Sequence, residues 1–135
     1  MTAATVSYGE AVAARRQEKP WGYEVIFAAG EHDYVGKLIT VRAGQSLSLQ
    51  YHDAKDETIS VLTGEFRLEH GPSADDLRTR VMGPGDTVHL YPRVVHRITA
   101  LTDVQFVEVS TAAPGWRDDV VRLSDRYGRT GTTAP

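Results

Sequence analysis

From Trp21 onward the chain is written in short runs in which apolar and polar residues alternate. "YVGKLITVRAG" sets Val35, Lys37, Ile39 and Val41 against Gly36, Leu38, Thr40 and Arg42. "LSLQYHDAKDE" sets Leu47, Leu49 and Tyr51 against Ser48, Gln50 and His52. A period of two sends successive side chains to opposite faces, so each run predicts a β-strand. "WGYEVIFAAG" precedes them, and "TISVLTGEFRLEHG", "LRTRVMGPGD", "TVHLYP", "VHRITA" and "VQFVEVST" follow. Turn residues divide the runs: Ala43-Gly44, Thr63-Gly64, "GPSADD" and Gly83-Pro84-Gly85. No helix-length apolar pattern lies between them. Evenly spaced short strands of this kind predict an all-β sandwich or barrel and not a series of βαβ units.

The ends of the chain are different. Residues 1–18 are Ala-rich and then charged, with only a thin apolar stripe in "GEAVAARRQE". They are expected to form an N-terminal arm, helical or disordered, that packs on a neighbour. One domain is expected over residues 19–129, with a flexible tail at 130–135. Within "APGWRDDVVRLSDRYGRTGTTAP" the DDVVRLSDRYGR segment is expected to strap the barrel mouth or a dimer partner.

Composition narrows the chemistry. The 135 residues suit one domain around one core, and 41% hydrophobic with 24% charged residues is ordinary. There is no cysteine, so disulfides, thiolate metal sites and thiol nucleophiles are excluded, and any metal must be held by nitrogen and oxygen. The net charge of -3, with no stretch of Lys and Arg interleaved with aromatics, argues against nucleic acid as a partner. No apolar run is long enough to span a membrane as a helix, and the start lacks a charged segment followed by an apolar one. A cytoplasmic location is therefore expected, with no membrane partner.

Two segments gather metal-binding groups. Gln50 and His52 share one face of a strand, and Glu57 opens the next strand five residues later. "GDTVHLYPRVVH" is a strand, a proline-marked bend and then His96. Gln50, His52, Glu57 and His96 together make a nitrogen and oxygen donor set suited to a divalent metal. The plain alternative is a polar strand face that meets only water. Four further residues are candidates for catalysis beside that set. His89 and Tyr91 share a face of "TVHLYP" that, counted back from Pro92, is expected to point inward. Lys37 alternates with the apolar Ile39 and Val41, and Glu108 stands likewise in "FVEVS"; the two could pair inside the barrel.

Gly44, His52, Glu57 and Gly64, then Gly85, Pro92 and His96, resemble the two motifs of the cupin superfamily. The first motif usually carries His-x-His, where this chain has Gln50-x-His52. With "KPWGYE", "KLITVRAGQSLSLQYH", "YPRVVHR" and "DDVVRLSDRYGR", the chain resembles the cupin domain of type II phosphomannose isomerases, without the nucleotidyltransferase domain to which it is often fused. The resemblance runs from Lys19 to Arg129. It implies a cupin double-stranded β-helix, a jelly-roll barrel, with Gln50, His52, Glu57 and His96 as ligands of a divalent metal. Zinc is expected first, with manganese, nickel, cobalt or iron as alternatives.

It also implies a small-molecule enzyme of the mannose-6-phosphate isomerase kind, working by isomerase- or epimerase-like proton transfer on a sugar or sugar phosphate, and a homodimer. The family commonly has Arg two residues before the Glu, where this chain has Lys55, and an aromatic soon after, near Ile59. "ITALTD" lacks the usual Asn, and no Gly-x-Tyr follows "VEVS". These departures are expected near the substrate entrance and clear of the metal ligands. Two other readings share the ligands: a non-haem iron dioxygenase built on His52, Glu57 and His96, and a sugar-binding cupin without catalysis.

Overall fold

Eleven strands take up the alternating runs among residues 6–135, which are those the computed structural model describes. They are β1 (Arg15–Lys19), β2 (Gly22–Ala29), β3 (Tyr34–Val41), β4 (Leu49–Tyr51), β5 (Glu57–Thr63) and β6 (Phe66–Ser73). Then come β7 (Asp76–Met82), β8 (Thr87–Leu90), β9 (Val95–Ala100), β10 (Val104–Thr111) and β11 (Val121–Ser124). The one helical element among the described residues is a 3-10 turn, Trp116–Asp118, far too short to cross a membrane.

The strands form two antiparallel sheets. One has the order β1-β2-β3-β10-β5-β8, the other β11-β4-β9-β6-β7. From β3 onward most connections carry the chain from one sheet to the other, as a jelly roll requires. The turn from β5 to β6 shows how tight these crossings are. Gly64 has φ 77°, and a Cβ there would meet the carbonyl oxygen of Asp103 at 2.0 Å.

The inner faces change character along the barrel, and this sets the site. On β10 the inward residues run Val104, Phe106, then Glu108. On β3 they run Val41, Ile39, then Lys37, each opposite its β10 counterpart in the ladder. On β5 the run is Val61, Ile59, then Glu57, and on β9 it is Ala100, Ile98, then His96. One half of the barrel is therefore filled by apolar side chains, including Phe66 and Phe106, which meet edge to face at 5.3 Å. The other half gathers ionisable groups around a cavity of about 300 Å³. Burial of the apolar half holds the sheets together and lets the polar half stay open.

The N-terminal arm, expected to be helical or disordered, carries no helix among its described residues and ends in a strand. Residues 6–14 have no regular structure and are exposed, while Arg15–Lys19 pairs with β2 as an edge strand. Residues 1–5 of the expected arm lie outside the described residues. Pairing Glu18 with Tyr23 and Lys19 with Gly22 brings Lys19 to the cavity, and a ladder along β2 satisfies more backbone than a thin-striped helix could. At the other end, β11 pairs with β4 and closes the edge of the second sheet.

Candidate metal centre

The Gln50, His52, Glu57 and His96 side chains all line the cavity. Gln50 on β4 stands directly opposite His96 on β9. His52 follows β4, and Glu57 begins β5 in the facing sheet. His52, Glu57 and His96 are all buried and can offer ligand atoms within 4.8 Å of one another. Oε1 of Glu57 lies 3.2 Å from Nε2 of His96 and 3.5 Å from Nε2 of His52.

The outer nitrogens of both rings are already engaged. Nδ1 of His52 is 2.6 Å from the carbonyl oxygen of Asp119, and Nδ1 of His96 is 2.9 Å from that of Val94. A carbonyl only accepts, so each Nδ1 must carry the hydrogen. In a neutral ring, Nε2 then carries a lone pair aimed at the Glu57 carboxylate. Three acceptors facing one another repel unless a cation lies among them. Oε2 of Glu57 is also buried and makes no well-directed hydrogen bond, its compensation being the ion contact with the Lys55 ammonium 3.2 Å away. His52, Glu57 and His96 therefore fit a divalent metal, and Gln50 lines the same cavity as a candidate neutral donor. Without metal a proton fills the role. Burial alone would lower the His96 pKa, but hydrogen bonding to Glu57 and its charge raise it above the usual value.

A family model described as mannose-6-phosphate isomerase C-terminal matches residues 9–125. The chain belongs to this family. The mannose-1-phosphate guanylyltransferase ManC of Salmonella typhimurium is 30% identical over 117 residues, which are 85% of this chain and 23% of that protein. The alginate biosynthesis protein AlgA of Pseudomonas aeruginosa is 30% identical over 119 residues, 86% of this chain and 23% of that protein. The chain thus spans about a quarter of the length of these curated relatives. Among solved structures, CapF of Staphylococcus aureus, a capsular polysaccharide assembling protein, superposes with TM-score 0.69 at 14% identity over 85% of this chain and 35% of that one. Oxalate decarboxylase of Bacillus subtilis, a protein with Mn(II) centers, gives 0.69 at 14% identity over 82% and 30%. These two show the cupin fold.

Within this family's barrel, two of the expected catalytic residues are turned away. His89 and Tyr91 lie on the outer side, Tyr91 being 63% exposed. The β5 and β8 ladder explains it. Glu57 points inward and is paired with Leu90, so Thr58 and its partner His89 point outward. Counting back from Pro92 fails because β8 ends at Leu90, and the chain then bends through Arg93 at φ 71°. His89 pairs with the Asp56 carboxylate and stacks on Tyr91.

Lys37 and Glu108 do line the cavity, but they do not pair with each other. Lys37 Nζ is 3.3 Å from Glu24, and the cation on Glu108 is Lys55, at 3.0 Å. Lys55 Nζ also lies 3.2 Å from Oε2 of Glu57. The departure from the family's Arg at this position, expected from the resemblance to lie clear of the metal ligands, therefore reaches the candidate metal centre itself. Burial, followed by the charge of Glu57, pushes the Glu108 carboxyl above its ordinary pKa against the pull of Lys55.

Asp119, from the "DDVVR" string, is the main residue that sequence reasoning left without a role. Its carboxylate accepts from the backbone N–H groups of Asp53, Ala54 and Lys55 at 2.7, 3.1 and 2.9 Å. Its own carbonyl holds His52. One residue thus fixes both the ring and the loop that joins His52 to Glu57. Burial would raise the Asp119 pKa, but the three amides lower it. Asp119→Ala keeps the carbonyl that holds His52 but frees the loop amides, so it is expected to weaken zinc affinity by up to roughly tenfold, the low end of the range for direct partners of metal ligands. Titration with a competing chelator measures this. Because the pKa is depressed, Asp119's support holds above the ordinary carboxylate range and fades only as the pH falls through its lowered value.

Proposed function

We propose that this cavity is the active site of a metal-dependent sugar or sugar-phosphate isomerase of the mannose-6-phosphate isomerase type. The observation that carries the reading is the convergence of three buried acceptors, His52, Glu57 and His96, at the floor of a cavity that also holds a carboxyl of raised pKa. The family match supports it, and the Mn(II) centers of the similarly folded oxalate decarboxylase support a divalent metal. Gln50, His52, Glu57 and His96 would hold the ion, which when bound supplies Lewis-acid polarisation of a carbonyl or hydroxyl oxygen.

The chain's own residues supply the proton chemistry. Interconversion of an aldose and a ketose moves a proton between neighbouring carbons. Glu108 takes and returns that proton at a carboxylate oxygen, since its raised pKa brings it toward the operating pH. Lys55 holds Glu108 in place and carries positive charge beside the developing anion. The apolar floor of Ile59, Ile98 and Phe106 keeps water from the reacting carbons.

The test is interconversion of mannose 6-phosphate and fructose 6-phosphate in deuterated water. The protein is freed of metal by chelation and reloaded with zinc, manganese, nickel, cobalt or iron. Product formation with deuterium entering at C1 of fructose 6-phosphate, or at C2 of mannose 6-phosphate in the reverse direction, and lost in Glu108→Gln, is the expected result. Metal uptake without turnover of any aldose or ketose phosphate would leave a binding protein. Consumption of O₂ by the iron form would put the oxygenase reading first.

A further inference from the structure

Residues 130–135 are all exposed, yet Thr133 and Pro135 line the same cavity as His52, Glu57 and His96. Exposed residues that also line a cavity stand at its rim. Two arginines hold the segment there. Nη1 of Arg122 donates to the carbonyl of Thr132 at 3.1 Å, and Nη1 of Arg129 to that of Pro135 at 3.5 Å. Both arginines are buried, and Arg129 is fixed by Asp125, which accepts from its Nε and Nη2 at 2.9 and 3.0 Å. The chain turns back over them at Gly128 and Gly131, with φ 78° and 75°. A Cβ at either glycine would meet nothing within 4 Å, so glycine serves the backbone conformation there and not the packing. Thr132 closes the turn, its N–H and hydroxyl donating to the carbonyl of Arg129 at 2.9 and 2.8 Å.

The segment is latched but not packed. It buries no side chain of its own, and a stretch held only by exposed polar contacts opens at far lower cost than a core strand. The latch itself is imperfect. Nε of Arg122 is buried with no hydrogen-bond partner, a standing cost for a group that cannot shed its proton. Lifting the segment lets water reach the Arg122 guanidinium, which offsets part of the bond lost to Thr132.

We propose that residues 130–135 form a strap that closes the cavity and swings about Gly128 and Gly131 to admit metal and ligand, with Arg122 and Arg129 as its latch. Small residues at the ends of a short segment are suited to absorb such a swing, and closure keeps bulk water from the chamber. The metal part of this assignment rests on reading the cavity as the chamber of a metal enzyme; the strap itself does not. Two tryptophans report on it. Trp21 and Trp116 are the only ones in the chain, and both line the cavity. Trp21 is 4% exposed, so a quencher dissolved in water reaches it chiefly through that cavity.

The experiment uses the intact chain with Trp116→Phe, which leaves Trp21 as the one fluorophore, and compares Gly131→Val and Thr132→Ala on that background. Valine is disfavoured at φ 75°. Alanine removes the hydroxyl bond to Arg129 and the acceptor that takes the N–H of Ala134 at 3.3 Å. Zinc uptake, and zinc release to a chelator, should each speed up by roughly tenfold, the worth of about one charge-assisted hydrogen bond. Equilibrium zinc affinity should not change, because a gate alters entry and exit alike. Acrylamide quenching of Trp21 should rise in both variants. Exchange rates and quenching equal to the background would overturn the strap. A changed zinc affinity without matched rates would make the segment part of the metal site and overturn the gate. If the protein takes up no zinc, the metal reading fails, and Trp21 quenching alone decides the strap. If Gly131→Val does not fold, Thr132→Ala decides, since it removes only a hydroxyl and a methyl group from an exposed residue.

Discussion

Replacing His52 and His96 together by alanine should reduce bound metal to background, with a loss in zinc affinity of more than roughly 100-fold, since even the outer partners of metal ligands are worth 10–100-fold. Elemental analysis of untagged protein measures content, and competition with a chelator measures affinity. Both rings present Nε2 to Glu57 and have Nδ1 tied to a carbonyl, so neither can be replaced by a rotation of the other. The pH dependence follows from His96. Its raised pKa means that protons compete with metal from above the ordinary histidine range. Metal affinity should be full above that raised pKa and fall as the pH drops through it. The metal-free protein behaves in the opposite sense. A raised histidine pKa contributes stability that is present in full below the unfolded value and lost as pH rises through the folded one. Metal-free wild type should therefore lose this contribution as pH rises from the ordinary histidine value through the raised one, and zinc should restore it. The double alanine variant should show neither effect. Stoichiometric zinc that survives the double substitution would place the metal elsewhere.

The strand pattern was legible because burial on one face repeats every second residue. Val35, Ile39 and Val41 are buried as their alternation requires, and the metal-ligand candidates fall on the inward phase of β4, β5 and β9. The errors arise where a strand stops. His89 and Tyr91 were assigned by counting through Tyr91 and Pro92, yet β8 ends at Leu90 and pairing with β5 sets its phase. Lys55 was legible only as a deviation from a motif. It lies between strands, where no period tells which way a side chain points, and only the approach of β10 gives it Glu108 as a partner. Asp119 and Arg122 are far from the ligands in sequence, and only the 3-10 turn and the pairing of β11 with β4 bring them to the cavity. A buried cation in a polar string has no periodic signature, so "DDVVRLSDRYGR" showed no chemistry until the fold put it at the cavity.

Lys55→Met should cost about 3–5 kcal/mol of stability in the metal-free protein, the range for removing one partner of a buried ion pair. Urea denaturation measures it. Lys55 is 8% exposed and lies between Glu57 and Glu108. Burial alone would lower its pKa, but the two carboxylates raise it. Its charge is therefore constant across the neutral range, and its contribution is lost only at alkaline pH, as the pH rises through the raised value. Methionine matches the length of the stem but leaves two buried carboxylates with no cation between them. Their pKa values must rise above the ordinary carboxylate value. A carboxyl whose folded pKa is raised destabilises once ionised, so Lys55→Met should be most stable near pH 4–5 and lose stability steadily toward pH 7. Wild type has Glu57 held well below its ordinary pKa, and that contribution is retained above the ordinary value and lost only as pH falls through the depressed one. Between about pH 4.5 and 7 the Glu57 contribution of wild type is therefore flat, and Lys55→Met should lose stability more steeply than wild type across that window. Zinc should shrink the difference, because a cation held by His52, Glu57 and His96 would compensate one of the two carboxylates. Lys55→Arg, which installs the residue the family commonly carries, should recover most of the loss by restoring the charge. A Lys55→Met profile parallel to wild type would mean that Glu108 already holds a proton at neutral pH, and the proton carrier proposed for the reaction would then begin as an acid and not as a base.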